Sequence, residues 1–421
     1  MDTGVAPKPR SLIATLERVT KTDLRYLVSS GSWIVLGQVV STGAAFVIAV
    51  AFANLLPVAT YGAYKYLLSI ASFFAIFTLP GMVTAVTRAA AQGKGSTMHS
   101  ALRLRILSSL IGSSAAVISG GYYLIQGNFE LGVGLLVIAL TLPFFDTFTI
   151  YNAYLSGRQL FRSLTLLHVS AQIVSMLCVL AALLYTDRIT IILAAYFVPL
   201  AAIRLGIYLT IARGVPQGTP DADTLRYGSH LSAMGILGIA SQTVDKWLLW
   251  HFLGPIELAM YAFAIGIPEQ LKGPMKGVGD LALPKFSERS HSDMQRSLKV
   301  LWYRTALYGA ALLVIALGYI ALAPTIFSFF FPQYISSVLY SQIFALSLIS
   351  GITVVPQAAL AAHRKTAEQY AINSVQPVLQ IVLFLVLIPS YGVLGAVAAL
   401  LITRVLVTVF TLVLTARAFR I

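Results

Sequence analysis

The chain reads as an all-α integral membrane protein of about twelve transmembrane helices, and three observations carry that expectation. Of 421 residues, 58% are hydrophobic and 10% charged, and the apolar ones fall in repeated runs of about 20, the length a helix needs to cross about 30 Å of hydrocarbon. Mean hydropathy is +0.83. Lys and Arg gather on alternate connections between the runs, the pattern of cytoplasmic loops. A Gly-, Pro- and Asp-rich stretch at 213–228, RGVPQGTPDADTLRYG, divides the runs into two sets of six.

Taken in order, residues 1–29 form a charged tail ending in an amphipathic interfacial helix. Charges interrupt it and no short apolar core precedes a small-residue cleavage site, so a cleavable signal peptide is not expected. Spans are expected near 30–53, 61–87, 104–126, 131–156, 163–185 and 189–211, making an N-terminal bundle over 30–215. After a linker at 216–228 come 229–253, 258–283, 301–323, 335–361, 367–388 and 392–415, a C-terminal bundle over 229–421. The first two spans of each set align at a shift of about 197, with YGAYKYLLSI over LAMYAFAIGI, Tyr64 over Tyr261 and Arg88 over Lys285. Two sets starting from the same side are parallel repeats about an axis along the membrane normal, a layout used by alternating-access transporters.

Basic residues mark one face: Lys8, Arg10, Arg18, Lys21 and Arg25; Arg88, Lys94, Arg103 and Arg105; Arg158 and Arg162; Arg213 and Arg226. The same face continues through Lys285, Arg289, Arg296, Lys299 and Arg304, then Arg364 and Lys365, and ends at Arg417 and Arg420. The other face offers essentially Lys65 and Arg188. Both termini are therefore expected in the cytoplasm, with a multi-pass chain in the inner (cytoplasmic) membrane. The net charge of +14 is then a topology signal. It is no nucleic-acid footprint, because the basic residues sit on short loops beside spans. The single Cys178 lies in a span, so disulfides and a cysteine metal cluster are excluded and the residue reads as packing. No metal site or cofactor is expected.

Connections are short, the longest at 213–228 and 284–300, so no soluble domain is expected. A membrane glycosyltransferase or polymerase usually holds a catalytic carboxylate or His in a sizeable outside loop, and the stretches at 126–130, 185–189 and 388–392 are only turns. No Gly-rich phosphate loop of the Walker type is present, so energy from an ion gradient, H⁺ or Na⁺, is expected rather than ATP hydrolysis.

Charges inside spans are costly, on the order of 3 kcal/mol each at mid-bilayer, and point to polar paths or buried pairs. Glu269, Lys272, Lys276 and Asp280 recur at steps of three, four and four, one stripe on a helix bent by Pro268 and Pro274. Three roles are open to Lys272 and Lys276: contact with an anionic substrate, neutralisation of Glu269 and Asp280, or snorkelling towards the cytoplasmic end. The remaining intramembrane cations are Arg204, Lys246 and Arg404, candidates for the same substrate contact, although Arg204, about two turns from the cytoplasmic loop, can also snorkel to it and Lys246 can serve in pairing. Lys246 follows Asp245 directly, so the two point about 100° apart and cannot both face one groove. Asp245 reads as a partner for a basic residue on a neighbouring helix, or as a gate. Asp146, after Pro143, is the carboxylate deep in the first half; with Thr149 and Asn152 it is the candidate for carrying a proton or Na⁺. Gln38, Gln172, Gln242, Asn373, Gln376 and Gln380 read as interhelical hydrogen-bonding groups or cavity lining. Trp247, Trp250, Tyr122 and Tyr123 read as interfacial anchors.

The string SQTVDKWLLWHFLGPIELAMYAFAIGIPEQLKGPMKGVGDLALPKFSE resembles the start of the second half of polysaccharide-export proteins, the Wzx-type lipid-linked oligosaccharide flippases. The shared positions are Asp245, Lys246, Leu253, Gly254, Pro255, Tyr261, Ala262 and Pro284; LLPVATYGAYKYLLSI followed by Arg88 is similar in the first half. The resemblance implies the fold of the multidrug/oligosaccharidyl-lipid/polysaccharide exporters, two six-helix bundles around a central cavity. It implies a polyprenyl-pyrophosphate-linked sugar as substrate, the lipid bilayer as surroundings, and a polysaccharide polymerase or glycosyltransferase as partners. Lipid II flippases of that superfamily typically have fourteen spans, which argues against that branch. The rival is a cation-coupled drug or metabolite antiporter, which would favour carboxylates and aromatics in its cavity.

Overall fold

The computed structural model of the chain describes residues 24–215, 221–272, 298–363 and 365–419. All regular structure among the described residues is helical. In order, α1 is Leu24–Leu55, α2 Val58–Phe74, α3 Gly81–Ala91, α4 Thr97–Ile125, α5 Phe129–Phe145, α6 Ile150–Gly157, α7 Phe161–Tyr185 and α8 Ile189–Ala212. Beyond the linker lie α9 Ala222–Ser241, α10 Val244–Phe252, α11 Pro255–Gln270, α12 Leu298–Phe330, α13 Val338–Ala345, α14 Val354–Ala362 and α15 Thr366–Phe419.

Among the described residues eight helices are long and apolar enough to cross a membrane, or nine if the pair Val58–Thr78 and Gly81–Ala91, bent by 46°, is one span. The expected count of about twelve is not reached, for three local reasons. The expected span at 229–253 is interrupted at Gln242 and Thr243, between α9 and α10. The one at 258–283 is described only as far as Lys272. The last two share α15, a 54-residue helix whose backbone is broken at Gly392, φ 59° and ψ −133°. A straight helix of that length would run about 80 Å. It instead doubles back, because a Cβ on Gly395 would fall 2.0 Å from the Leu387 carbonyl oxygen, a residue about 12 Å away along a straight helix.

Two breaks inside the first half matter below. Pro80 disfavours helical backbone at Leu79, which adopts φ 54° and ψ 66° between α2 and α3. Pro143 withholds a backbone donor near the end of α5, and the chain passes through a short 3-10 turn at Thr147–Thr149 before α6.

Lipid supplies no hydrophobic drive between helices, so close approach at small residues does that work. A Cβ on Gly62 would meet the Pro255 carbonyl oxygen at 1.8 Å, so α2 and the start of α11 touch backbone to backbone. The aligned residues Tyr64 and Tyr261 therefore lie on helices that pack on each other across the two halves. Gly81 likewise sits against α9, its N–H donating to Ser232 Oγ at 3.0 Å. The largest buried cluster spans both halves, with Phe52, Tyr61 and Tyr64 packed against Phe263, Phe331 and Tyr334.

Candidate functional site: a cationic cavity between the halves

Between α1, α2, α7 and α8 on one side and α11 and Phe331 on the other lies a cavity of about 760 Å³. Its charged lining residues are Lys65 and Arg204, joined by His168, and no carboxylate lines it among the described residues. Polar groups come from Thr42, Gln172, Ser175, Tyr196 and Gln270. Gln172 is held by Ser41, whose Oγ donates to Oε1 at 2.7 Å. Arg204 is fixed by donating Nη1 to the Phe145 carbonyl at 2.5 Å, with its guanidinium over the Phe145 ring. Because α5 ends at Phe145, that carbonyl has no helical partner, and the cation satisfies it.

The end of the cavity away from the basic connections is closed by aromatic rings. Tyr61 packs on Phe263 with centroids 4.8 Å apart, Phe263 on Tyr334 at 3.9 Å, and Phe46 on Phe331 at 6.0 Å. These rings come from α1, α2, α11 and the segment after α12. Parting them would require both halves to move.

The other predicted charges are engaged in pairs. Asp146 meets Arg105 at 3.1 Å and accepts a short hydrogen bond from Thr78 Oγ1. Arg105 is 1% exposed, and also donates to the carbonyls of Thr78 (2.6 Å), Thr147 (3.0 Å) and Asp146 (3.1 Å). One guanidinium thus clamps both helix breaks of the first half, using the fork of donors that suits Arg to the task. Its assignment to a basic loop is corrected: Arg105 is the ninth residue of α4 and buried, and the two breaks offer it carbonyls in place of water.

Asp245, 3% exposed, bonds Lys246 at 3.1 Å and takes the Tyr261 hydroxyl at 2.6 Å. The expectation that neighbours 100° apart cannot share a groove is corrected, because the long Lys246 side chain curls back to its own helix, donating also to the Gln242 carbonyl at 2.8 Å. Glu269 binds Lys272 at 3.2 Å and Arg404, whose Nη1 donates to Ser347 Oγ at 2.6 Å. Both cations lie over the Phe344 ring. Lys272 and Arg404 are not in the cavity lining, although Gln270 and Leu271 beside them are. Lys276 and Asp280 lie outside the described residues.

The family model described as polysaccharide biosynthesis protein matches residues 27–271, more than half of the chain. The chain belongs to that family. No curated protein matches it by sequence. Among solved structures, this polysaccharide biosynthesis protein is similar to the lipid II flippase MurJ in an inward closed conformation: TM-score 0.66, 14% identity, 92% of this chain and 87% of that one covered. It is also similar to a MATE transporter in complex with MaD5, at TM-score 0.67 and 13% identity over 96% and 97%. A MOP superfamily transporter from Pyrococcus furiosus, described by a reversed polarity of its binding pocket, matches at 0.62 and 13% over 93% and 95%. The likeness gives this family member the fold shared by those proteins, a multi-pass helical membrane architecture.

One functional candidate of this polysaccharide biosynthesis protein escaped the sequence reading. Lys65 was placed on the outer face, but it lies two turns inside α2 and lines the cavity, its ammonium over the Tyr61 ring. Its spacing from Tyr61, one helical turn, was the available signal. Trp247 and Trp250 are corrected from interfacial anchors to contacts between the halves: Trp247 packs edge-on against Phe73 and Trp250 stacks on Tyr66 at 4.4 Å. Among the amides, Gln380 makes the expected interhelical bond, to the Ser241 carbonyl at 2.8 Å.

Proposed function

We propose that the protein is a flippase that carries a polyprenyl-pyrophosphate-linked oligosaccharide from the cytoplasmic to the outer leaflet by alternating access. The observation that carries this is the cavity lining, which presents Lys65 and Arg204 without a carboxylate among the described residues. A diphosphate and a hydrophilic sugar cannot cross hydrocarbon unaided and need cations and hydrogen-bonding groups along the way. The volume, about 760 Å³, is that of a site for a drug-sized ligand, enough for a diphosphate with the first sugars. An organic-cation exporter would need free carboxylates there, and Asp146, Asp245 and Glu269 are each engaged by a cation.

Lys65 and Arg204 are our assigned diphosphate contacts, with Lys246, Lys272 and Arg404 acting through the walls; Lys276 keeps its proposed substrate contact from the sequence alone. Coupling to H⁺ or Na⁺, expected at Asp146, finds Arg105 where the ion would sit, so Asp146 is better read as architectural. The basic end is taken as cytoplasmic, where the lipid-linked unit is built, and a polymerase or glycosyltransferase would use the released product.

The test is a leaflet assay in proteoliposomes: a polyprenyl-diphosphate sugar placed inside is followed by its exposure to an outside lectin. Lys65→Gln with Arg204→Gln should lower the exposure rate at least tenfold at equal protein insertion, since each charged contact is worth about 1.5–3 kcal/mol. Undiminished exposure would remove the two residues from the path. A chain that instead pumps an organic cation along an ion gradient would move it to the antiporter branch.

A further inference from the structure

A second cavity, of about 210 Å³, lies on the other side of α2, between it and the α9–α10 break. It is lined by Lys65, Ser69 and Ser72 from α2 and by Gln242, Thr243 and Lys246 from the facing helices. The two sets follow helical spacing on antiparallel elements, so Lys65 lies towards Lys246 and Ser72 towards Ile239, a register that continues to the Gly81–Ser232 contact. The seam is tightly closed at that contact and polar in its middle.

The charges in this seam do not balance. Lys246 shares Asp245, whose second interaction is already taken by the Tyr261 hydroxyl. Lys65 has no ion pair among the described residues, and its neighbour is an aromatic face. The hydroxyls of Ser69, Ser72 and Thr243 donate to carbonyls of their own helices. The donors left for a ligand are the Lys65 ammonium and the exposed Gln242 amide, beside a Lys246 ammonium already shared between Asp245 and the Gln242 carbonyl. An unneutralised ammonium at mid-membrane is stabilised by an anion, and the space, enough for about seven waters, admits a phosphate or diphosphate but not a sugar chain. Ser69 and Thr243 are buried while Ser72 and Gln242 are exposed at the bundle surface, so the cleft opens sideways. Lys65 lines both cavities, so one side chain stands in the wall between them.

We propose that this cleft is a second anion-binding site, which takes the phosphate or diphosphate of a lipid headgroup between α2 and α9–α10 and passes it by Lys65 to the central cavity. The proposal rests on the reading of the central cavity as an anion path. By bridging lysines from opposite halves, the bound anion also relieves their repulsion and draws the seam together.

The experiment is equilibrium binding of farnesyl diphosphate to the detergent-solubilised full chain, compared with Lys246→Gln, Ser72→Leu and Arg204→Gln. Ser72→Leu fills the cleft without touching the Asp245 pair, so it stands in if Lys246→Gln fails to fold. Two binding steps are expected in the parent; either cleft variant should weaken one step at least tenfold and leave the other, while Arg204→Gln does the reverse. A single step lost in Arg204→Gln and unchanged in both cleft variants would overturn the cleft site and leave the flippase reading standing. No binding to any form would overturn both. Inorganic pyrophosphate competing at the cleft as well as farnesyl diphosphate would assign the site to free polyphosphate and overturn the lipid source; failure to compete supports it.

Discussion

Removing Arg105 tests whether one buried cation holds the first half in shape. It is 1% exposed, donates to three backbone carbonyls at two helix breaks, and pairs with Asp146 at 3.1 Å. The carbonyl losses are small individually, because interhelical hydrogen bonds in membranes average about 0.6 kcal/mol and freed groups find other partners. The orphaned carboxylate is the larger effect: breaking a buried pair by deleting one partner costs about 3–5 kcal/mol. Since the Asp146 side chain keeps 27% exposure, we take the lower end, about 3 kcal/mol, for Arg105→Met. Unfolding in mixed micelles, followed by reactivity of the single Cys178, reads this directly. Adding Asp146→Asn removes the stranded charge and should restore about half of the loss. The reasoning is refuted if Arg105→Met stays within about 0.5 kcal/mol of the parent, or if the second substitution deepens the loss.

Two further outcomes follow from single contacts. Lys94 meets Asp221 at 2.8 Å across the basic end, and the hydrogen bonds from Lys94 and then Thr224 hold the Asp221 carboxyl below its usual range. A carboxyl lowered in the folded state contributes fully above the ordinary aspartate value and loses that contribution as the pH falls through the folded one. Protection from hydrogen exchange near residues 94–98 and 221–226, taken relative to the intrinsic rate at each pH, should thus fall on acidification, and Asp221→Asn should show the lower protection already at pH 7 with no further acid step. At Gly392, φ 59° and ψ −133° leave room for a Cβ, with Leu253 no nearer than 3.4 Å, so the cost of Gly392→Ala is conformational, about 1–3 kcal/mol. An unchanged unfolding midpoint would show that the reversal inside α15 does not need this backbone.

Much of this molecule was legible in the chain. Hydropathy runs placed most spans within a few residues, as with 131–156 against Phe129–Gly157 and 163–185 against Phe161–Tyr185, because burial in lipid imposes one simple demand on every exposed face. The family resemblance, carried by the positions from Asp245 to Pro284 and by LLPVATYGAYKYLLSI followed by Arg88, agrees with the family now shown. Arg204 was singled out as an intramembrane cation, and it lines the cavity. The count of spans was less secure, since a span broken at Gln242–Thr243 and two spans joined through Gly392 are not distinguishable by hydropathy from their unbroken counterparts.

What the sequence determined by itself was therefore the helical membrane architecture and the inventory of charges within it, since insertion into hydrocarbon depends on local composition. Which charges pair and which stand free was decided only by tertiary structure. Arg105 reaches Asp146 across forty-one positions of chain and Arg404 reaches Glu269 across 135, while Lys65, two turns into α2, is left without a carboxylate among the described residues. Ion pairing in a low-dielectric interior falls off with distance in space, and no spacing along the chain encodes that distance.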